Sequence, residues 1–185
     1  MIKRIFDLIL SLLLIAILLP MFLVIGMAVR LDSPGPIFYL QNRVGINGQI
    51  FVIYKFRSMH VGAEKSGLRT MRNDSRVTYI GSILRKLSLD ELPQLINVVM
   101  GDMSLVGPRP NVPAQRTDYS PEHWDLRNSV KPGLTGLAQA LVRSAGTEVE
   151  RLELDLKYIQ NASVIFDVYI LILTCRQLIY RRGAY

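Results

Sequence analysis

Residues 8–29, LILSLLLIAILLPMFLVIGMAV, carry no charged side chain across 22 positions. No other stretch limits the fold so strongly. As one helix it would be about 33 Å long, enough to cross a bilayer's hydrocarbon core. A cleaved signal peptide is the first alternative, but the run is long for a signal core and VRLDSPGPIFY follows it in place of an A-x-A-like site. Two details shape the segment further. Pro20, near its middle, removes one backbone hydrogen bond and predicts a kink. Basic residues flank both ends, Lys3 and Arg4 before and Arg30 and Arg43 after. The positive-inside rule holds both flanks on the cytoplasmic side, which suits a helix–break–helix hairpin entering and leaving one leaflet. A kinked spanning helix is the other reading, and these grounds leave both open.

The remaining chain reads as one domain. Half of the 185 residues are hydrophobic, and 22 Lys and Arg stand against 15 Asp and Glu, a net charge of +7. Such an excess predicts an anionic partner: nucleic acid, a membrane surface or a phosphorylated substrate. The basic residues form no recognisable nucleic-acid-binding motif, so that partner is not expected. The single cysteine, Cys175, excludes an intrachain disulfide and any Cys-rich metal site.

After the breaker DSPGP (32–36), residues 37–59 read as two short strands around a turn at Gly45–Gly48. A polar loop with Lys65, Arg69, Arg72 and Arg76 follows. VTYIGSILRKL and ELPQLINVVMG read as short helices, the second ended by Gly101. SLVGPRPNVP reads as a shaped loop, and Pro121 starts another helix behind Ser120. KPGLTG is a turn, and residues 147–160 are a charged helix. Residues 164–180 hold only Asp167 and Arg176 as charges, and the arginines of RQLIYRR favour a helix lying at the membrane interface; a buried core helix is the alternative.

RKLSLDELPQ places Asp90 beside Glu91. One reading is structural: SLDE fits a capping box, with Ser88 as N-cap, Glu91 reaching back to its N–H, and Leu87 and Leu92 as the hydrophobic staple. The other is chemical: a helix N-terminus would keep Asp90 ionised and favour phosphate, with Arg85 and Arg109 available to phosphoryl oxygens.

RKLSLDELPQLINVVMGDMSLVGPRP, then KPGLTGLAQ, together with KRIFDLILSLLLIAILLPMF, YKFRSM, NDSRVTYIG and LELDLKYI, resembles the bacterial sugar transferases, specifically the small monotopic phosphoglycosyl transferases. The resemblance covers nearly the whole chain in order. It implies transfer of a sugar-1-phosphate from a UDP-sugar to polyprenyl (undecaprenyl) phosphate with release of UMP, as a first membrane step of surface-glycan assembly. Asp90 matches the nucleophile, giving a covalent phosphosugar-aspartate and ping-pong kinetics, and Glu91 matches its partner. Mg²⁺ is implied, with Asp90 as its ligand. Arg85, Arg109, Lys55, Arg57 and Arg143 match phosphate-binding positions.

The resemblance also implies the re-entrant form, broken at Leu19–Pro20, although Ser commonly stands where this chain has Leu19. Leu137 and ALVRSAG replace an aromatic and an Asn-Gly-Arg-like stretch, so the sugar stays unnamed. The expected architecture is α/β, mostly helical with a short strand pair: a membrane hairpin over 1–31 and a catalytic domain over 32–185, ending in an interfacial helix. Membrane lipid is an expected partner, and a homodimer stays open. The expected location is the bacterial inner membrane, with the active site on its cytoplasmic face.

Overall fold

The structure is a computed structural model, and it describes residues 1–63, 67, 74–142 and 146–180. It is mostly helical, with an antiparallel strand pair in the first half, as the sequence predicts.

Helix α1 runs from Ile2 to Asp32. The chain stays helical through Leu19 and Pro20, the residues of the expected break, as one helix with a proline inside it. Pro20 has no N–H to give the Ala16 carbonyl, and a helix tolerates that single loss where its other bonds continue. Both halves of α1 pack on the same body. Phe6, Leu10 and Leu14 lie against the main core, while Ile25 and Val29 are buried against Phe56 and Leu84. The helix is turned against the usual rule: its polar Asp7 and Ser11 are buried, whereas Ile9, Ile17, Leu23 and Met27 are exposed.

Strands β1 (Phe38–Val44) and β2 (Ile50–Phe56) pair antiparallel in a register from Phe38↔Phe56 to Val44↔Ile50. The predicted turn joins them, with Asn47 and Gly48 at φ 54° and 76°. Helix α2 (Tyr79–Leu87) is capped by the Thr78 side chain, which accepts from the Gly81 N–H. Helix α3 (Gln94–Met100) starts after Pro93, whose missing N–H cannot make an earlier helical bond, and ends at Gly101 with φ 98°. Its Asn97 is fully buried: the side chain donates to the Val52 carbonyl at 2.7 Å and accepts from the Tyr54 N–H at 3.1 Å. That amide fastens α3 to β2.

The loop and turn expected at 104–113 and 131–136 contain a second strand pair. β3 (Ser104–Val106) and β4 (Gly133–Thr135) are parallel, a pairing that three-residue strands far apart in sequence do not announce. The crossing is too close for side chains: a Cβ on Gly133 would lie 2.1 Å from the Gly107 nitrogen. Helices α4 (Pro121–Arg127), α5 (Leu137–Leu141), α6 (Glu148–Gln160) and α7 (Val164–Tyr180) complete the fold. Ser120 caps α4 and Pro121 opens it, as predicted. The core joins α1, α3, β3, α5, α6 and α7 around Leu95, Val98, Met103, Leu105, Tyr158 and Ile170. α7 buries Asp167 and Ile170 and leaves Ile165, Ile172 and Ile179 exposed, so it is core-seated along one edge only.

Candidate active site

α2 ends at Ser88, which takes the left-handed conformation at φ 58° and turns the chain sharply. Residues Leu89–Glu91 then form a single 3₁₀ turn ahead of Pro93. Ser88 makes no side-chain cap bond there, so the predicted capping box does not form. The reason is long-range. The Glu91 carboxylate is taken by Lys55 of β2, whose Nζ donates to Oε1 at 2.6 Å, and by Arg109, whose guanidinium donates to both oxygens at 2.6 and 3.1 Å. Charge-assisted, bidentate bonds of this kind outcompete one backbone N–H.

Arg109 reaches Glu91 from the Gly107–Pro110 loop. This loop has two prolines and cannot build a ladder of its own, so its carbonyls are held from outside. The Gly133 N–H donates to Pro108 O at 2.9 Å, Arg127 Nη2 to Arg109 O at 2.7 Å, and Arg43 Nη1 to Pro110 O at 2.8 Å. Arg127 is in turn held by Asp155 of α6, Nε to Oδ2 at 2.9 Å, and both are buried.

The two acids are in opposite electrostatic states. Burial alone would raise Glu91, but Arg109 and Lys55 outweigh it and hold the carboxyl well below the usual range. Asp90 goes the other way. Burial and the neighbouring negative charge of Glu91 raise it, and Lys55, Arg85 and Arg109 offset only part of that rise. The expectation that a helix dipole holds Asp90 down is corrected: no α-helix begins at Asp90. Among the described residues none donates a hydrogen bond to its carboxylate. Burial, opposed by the charge of Glu91, lowers Lys55. Burial and then Arg109 push Arg43 down to about 10.

Asp90, Glu91, Arg85, Arg109 and Lys55 are therefore brought together. Arg57 does not join them. It is 4% exposed, and its guanidinium donates to Val29 O at 3.2 Å, Ser33 O at 2.6 Å and Pro34 O at 2.7 Å, tying down the end of α1. Its predicted phosphate role is corrected to this structural one. Arg143 lies outside the described residues. Arg43, Arg127 and Asp155 were not legible as site residues. Strand alternation places Arg43 on the face of Tyr39 and Lys55, but only once the register is known.

No group of three or more metal-ligating side chains occurs among the described residues. The donor set still fits one cation: Mg²⁺ is commonly held by one or two carboxylates plus substrate phosphates, and Asp90 is such a carboxylate, whereas Glu91 is saturated by two cations.

The chain is similar to known proteins over its whole length. The chain is 42% identical to a UDP-glucose:undecaprenyl-phosphate glucose-1-phosphate transferase of Escherichia coli (strain K12), covering all of this chain and 42% of that protein. It is 42% identical to a protein of that same description from Caulobacter vibrioides, covering 99% of this chain and 72% of the relative. It is 40% identical to a UDP-N-acetylgalactosamine-undecaprenyl-phosphate N-acetylgalactosaminephosphotransferase of Aeromonas hydrophila, covering 99% and 45%. It thus spans less than half the length of two of these three. Residues 1–181 match the family described as bacterial sugar transferase, and the chain belongs to that family.

Proposed function

We propose that the chain is a phosphoglycosyl transferase that moves a sugar-1-phosphate from a UDP-sugar to polyprenyl phosphate. The observation that carries this is Asp90, an acid without a hydrogen bond from the described residues, set among Lys55, Arg85 and Arg109 while Glu91 takes the ion pairs. An Asp90 oxygen bonds to the β-phosphorus of the UDP-sugar. The bond from that phosphorus to the α,β-bridging oxygen breaks, and UMP leaves with the electron pair. A phosphate oxygen of the polyprenyl acceptor then attacks the phosphosugar-aspartate and restores the Asp90 carboxylate. Arg109 and Lys55 neutralise phosphoryl charge, the main task in such transfers. Glu91 is held ionised by two cations, which suits an anchor that aims them rather than a proton acceptor. Asp90 would hold Mg²⁺, which would supply further charge neutralisation at the phosphoryl group.

The acceptor is a lipid, and the exposed apolar side of α1 is suited to one. Both ends of α1 are tied to the same body: Arg4 donates to the Val98 carbonyl and, at 2.7 Å, to the Val99 carbonyl, and Arg57 holds Val29 and Ser33. A helix fixed in this way lies along a membrane face more readily than it crosses. We place this face at the cytoplasmic side of the bacterial inner membrane, where a nucleotide sugar and a lipid phosphate both reach Asp90.

The test is UMP release from UDP-glucose with undecaprenyl phosphate and Mg²⁺. Asp90→Asn should lower the rate by about 10⁴-fold or more with the fold intact, and intact-protein mass spectrometry of the wild type should trap a phosphosugar adduct on Asp90. Full activity of the Asn variant would sink the mechanism. Release from other UDP-sugars but not UDP-glucose would correct the sugar alone.

A further inference from the structure

We infer that Arg127, locked by Asp155, is a positioning residue that aims Arg109 at the phosphate site. The inference rests on the phosphoglycosyl transfer proposed above and adds a function for two buried charges that the mechanism does not use.

Arg109 is half-exposed at its side chain and rigid at its backbone. Pro110 restricts the residue before it to extended conformations, and Pro108 fixes its own φ. With those torsions limited, the orientation of the Arg109 peptide sets the direction of its side chain. Arg127 Nη2 holds that peptide at its carbonyl, 2.7 Å away. The same guanidinium donates through Nε to Asp155 at 2.9 Å and lies over the Tyr119 ring, 5.5 Å from its centre. Three constraints on one planar group leave it a single orientation. Lysine could keep the charge but not the two divergent donors.

Stability alone does not explain the pair. A buried ion pair is weak evidence for stability, because an apolar pair of similar volume often serves as well or better. Here the pair sits where it links α6 and α4 to the one carbonyl that orients Arg109. Through Arg109 the line of contact continues to Glu91 and then to Lys55.

The test is a double-mutant cycle on UMP release from UDP-glucose and undecaprenyl phosphate by the full chain. Arg127→Lys should lower kcat by about 30- to 100-fold, the scale of a misplaced catalytic group, with KM for UDP-glucose within about 3-fold. Arg127→Lys made in an Arg109→Ala background should cost less than about 2-fold more, because the group being aimed is already gone. Equal losses in both backgrounds, or an active Arg127→Lys, would overturn the inference. If Arg127→Lys melts well below the wild type, Asp155→Asn, which keeps an acceptor for Nε, takes its place; it should show a smaller loss of kcat that Arg109→Ala likewise absorbs, and a loss that persists there would overturn the inference. No UMP release from the wild type with any UDP-sugar would remove the functional reading and this inference together.

Discussion

Two segments carry the same S/T-x-x-E pattern and do opposite things with it. At Thr147–Glu150 it is a capping box: the Glu150 N–H donates to Thr147 Oγ1 at 3.1 Å, and the Glu150 carboxylate accepts from the Thr147 N–H at 2.8 Å. At Ser88–Glu91 no box forms, and Glu91 is held instead by Lys55 and Arg109. The local chemistry of the two glutamates is the same. What differs is what the fold delivers to them. α6 starts at an exposed position where the nearest partner is the backbone. Glu91 faces a strand and a loop, 36 and 18 residues away in sequence, each bringing a cation. A local motif thus specifies a cap only where nothing stronger arrives from elsewhere.

The comparison breaks most visibly at the two glutamates. Glu91→Gln should cost about 100-fold in UMP release, the scale of losing one well-aimed charge-stabilising group, and about 2 kcal/mol of stability, since its bonds to cations are charge-assisted. Glu150→Gln should leave UMP release unchanged. Kinetics and thermal melts on the pair check this. The stability difference at Glu91 is also pH-dependent. Its folded carboxyl is held below the ordinary range, so its contribution is complete above about pH 4.3, the unfolded value, and is lost as pH falls through the folded value. The gap between wild type and Glu91→Gln should therefore narrow on acidification.

A smaller effect separates Asp90 from its neighbour. Lys55 favours the charged form of Asp90, so Lys55→Met should raise the Asp90 pKa further. The acid limb of the UMP-release profile should then move to higher pH. An unmoved or lowered limb would show that Lys55 does not act on Asp90. The smallest expected change lies on the other side of the comparison: Thr147→Ala removes one cap bond and should cost about 1 kcal/mol, read in a thermal melt, with UMP release unaffected.

Legibility followed the range of the interactions. The turn at Gly45–Gly48, the Ser120–Pro121 start of α4 and the Gly101 stop of α3 rest on neighbouring residues, and each formed as the sequence predicts. The break at Pro20 was also a local inference. The chain stays helical there, because α1 packs along both halves of its length and one missing hydrogen bond does not interrupt a helix held that way. Arg57 was expected at the phosphate site because YKFRSM resembles a family stretch. A fold that brings the carbonyls of Val29, Ser33 and Pro34 around it at the end of α1 claimed it first.

By itself the sequence determined the apolar helix, the hairpin turn and the presence of an acid pair beside arginines, because these depend on composition and on residues close along the chain. The tertiary structure alone decided which acid is ion-paired and which has no hydrogen bond from the described residues. It also decided that Arg43 and Arg127 hold the Pro-Arg-Pro loop, and that β3 pairs with β4 through glycines. Those outcomes depend on which distant charges and carbonyls the fold brings within 3 Å, and burial makes each such meeting strong enough to override the local rule.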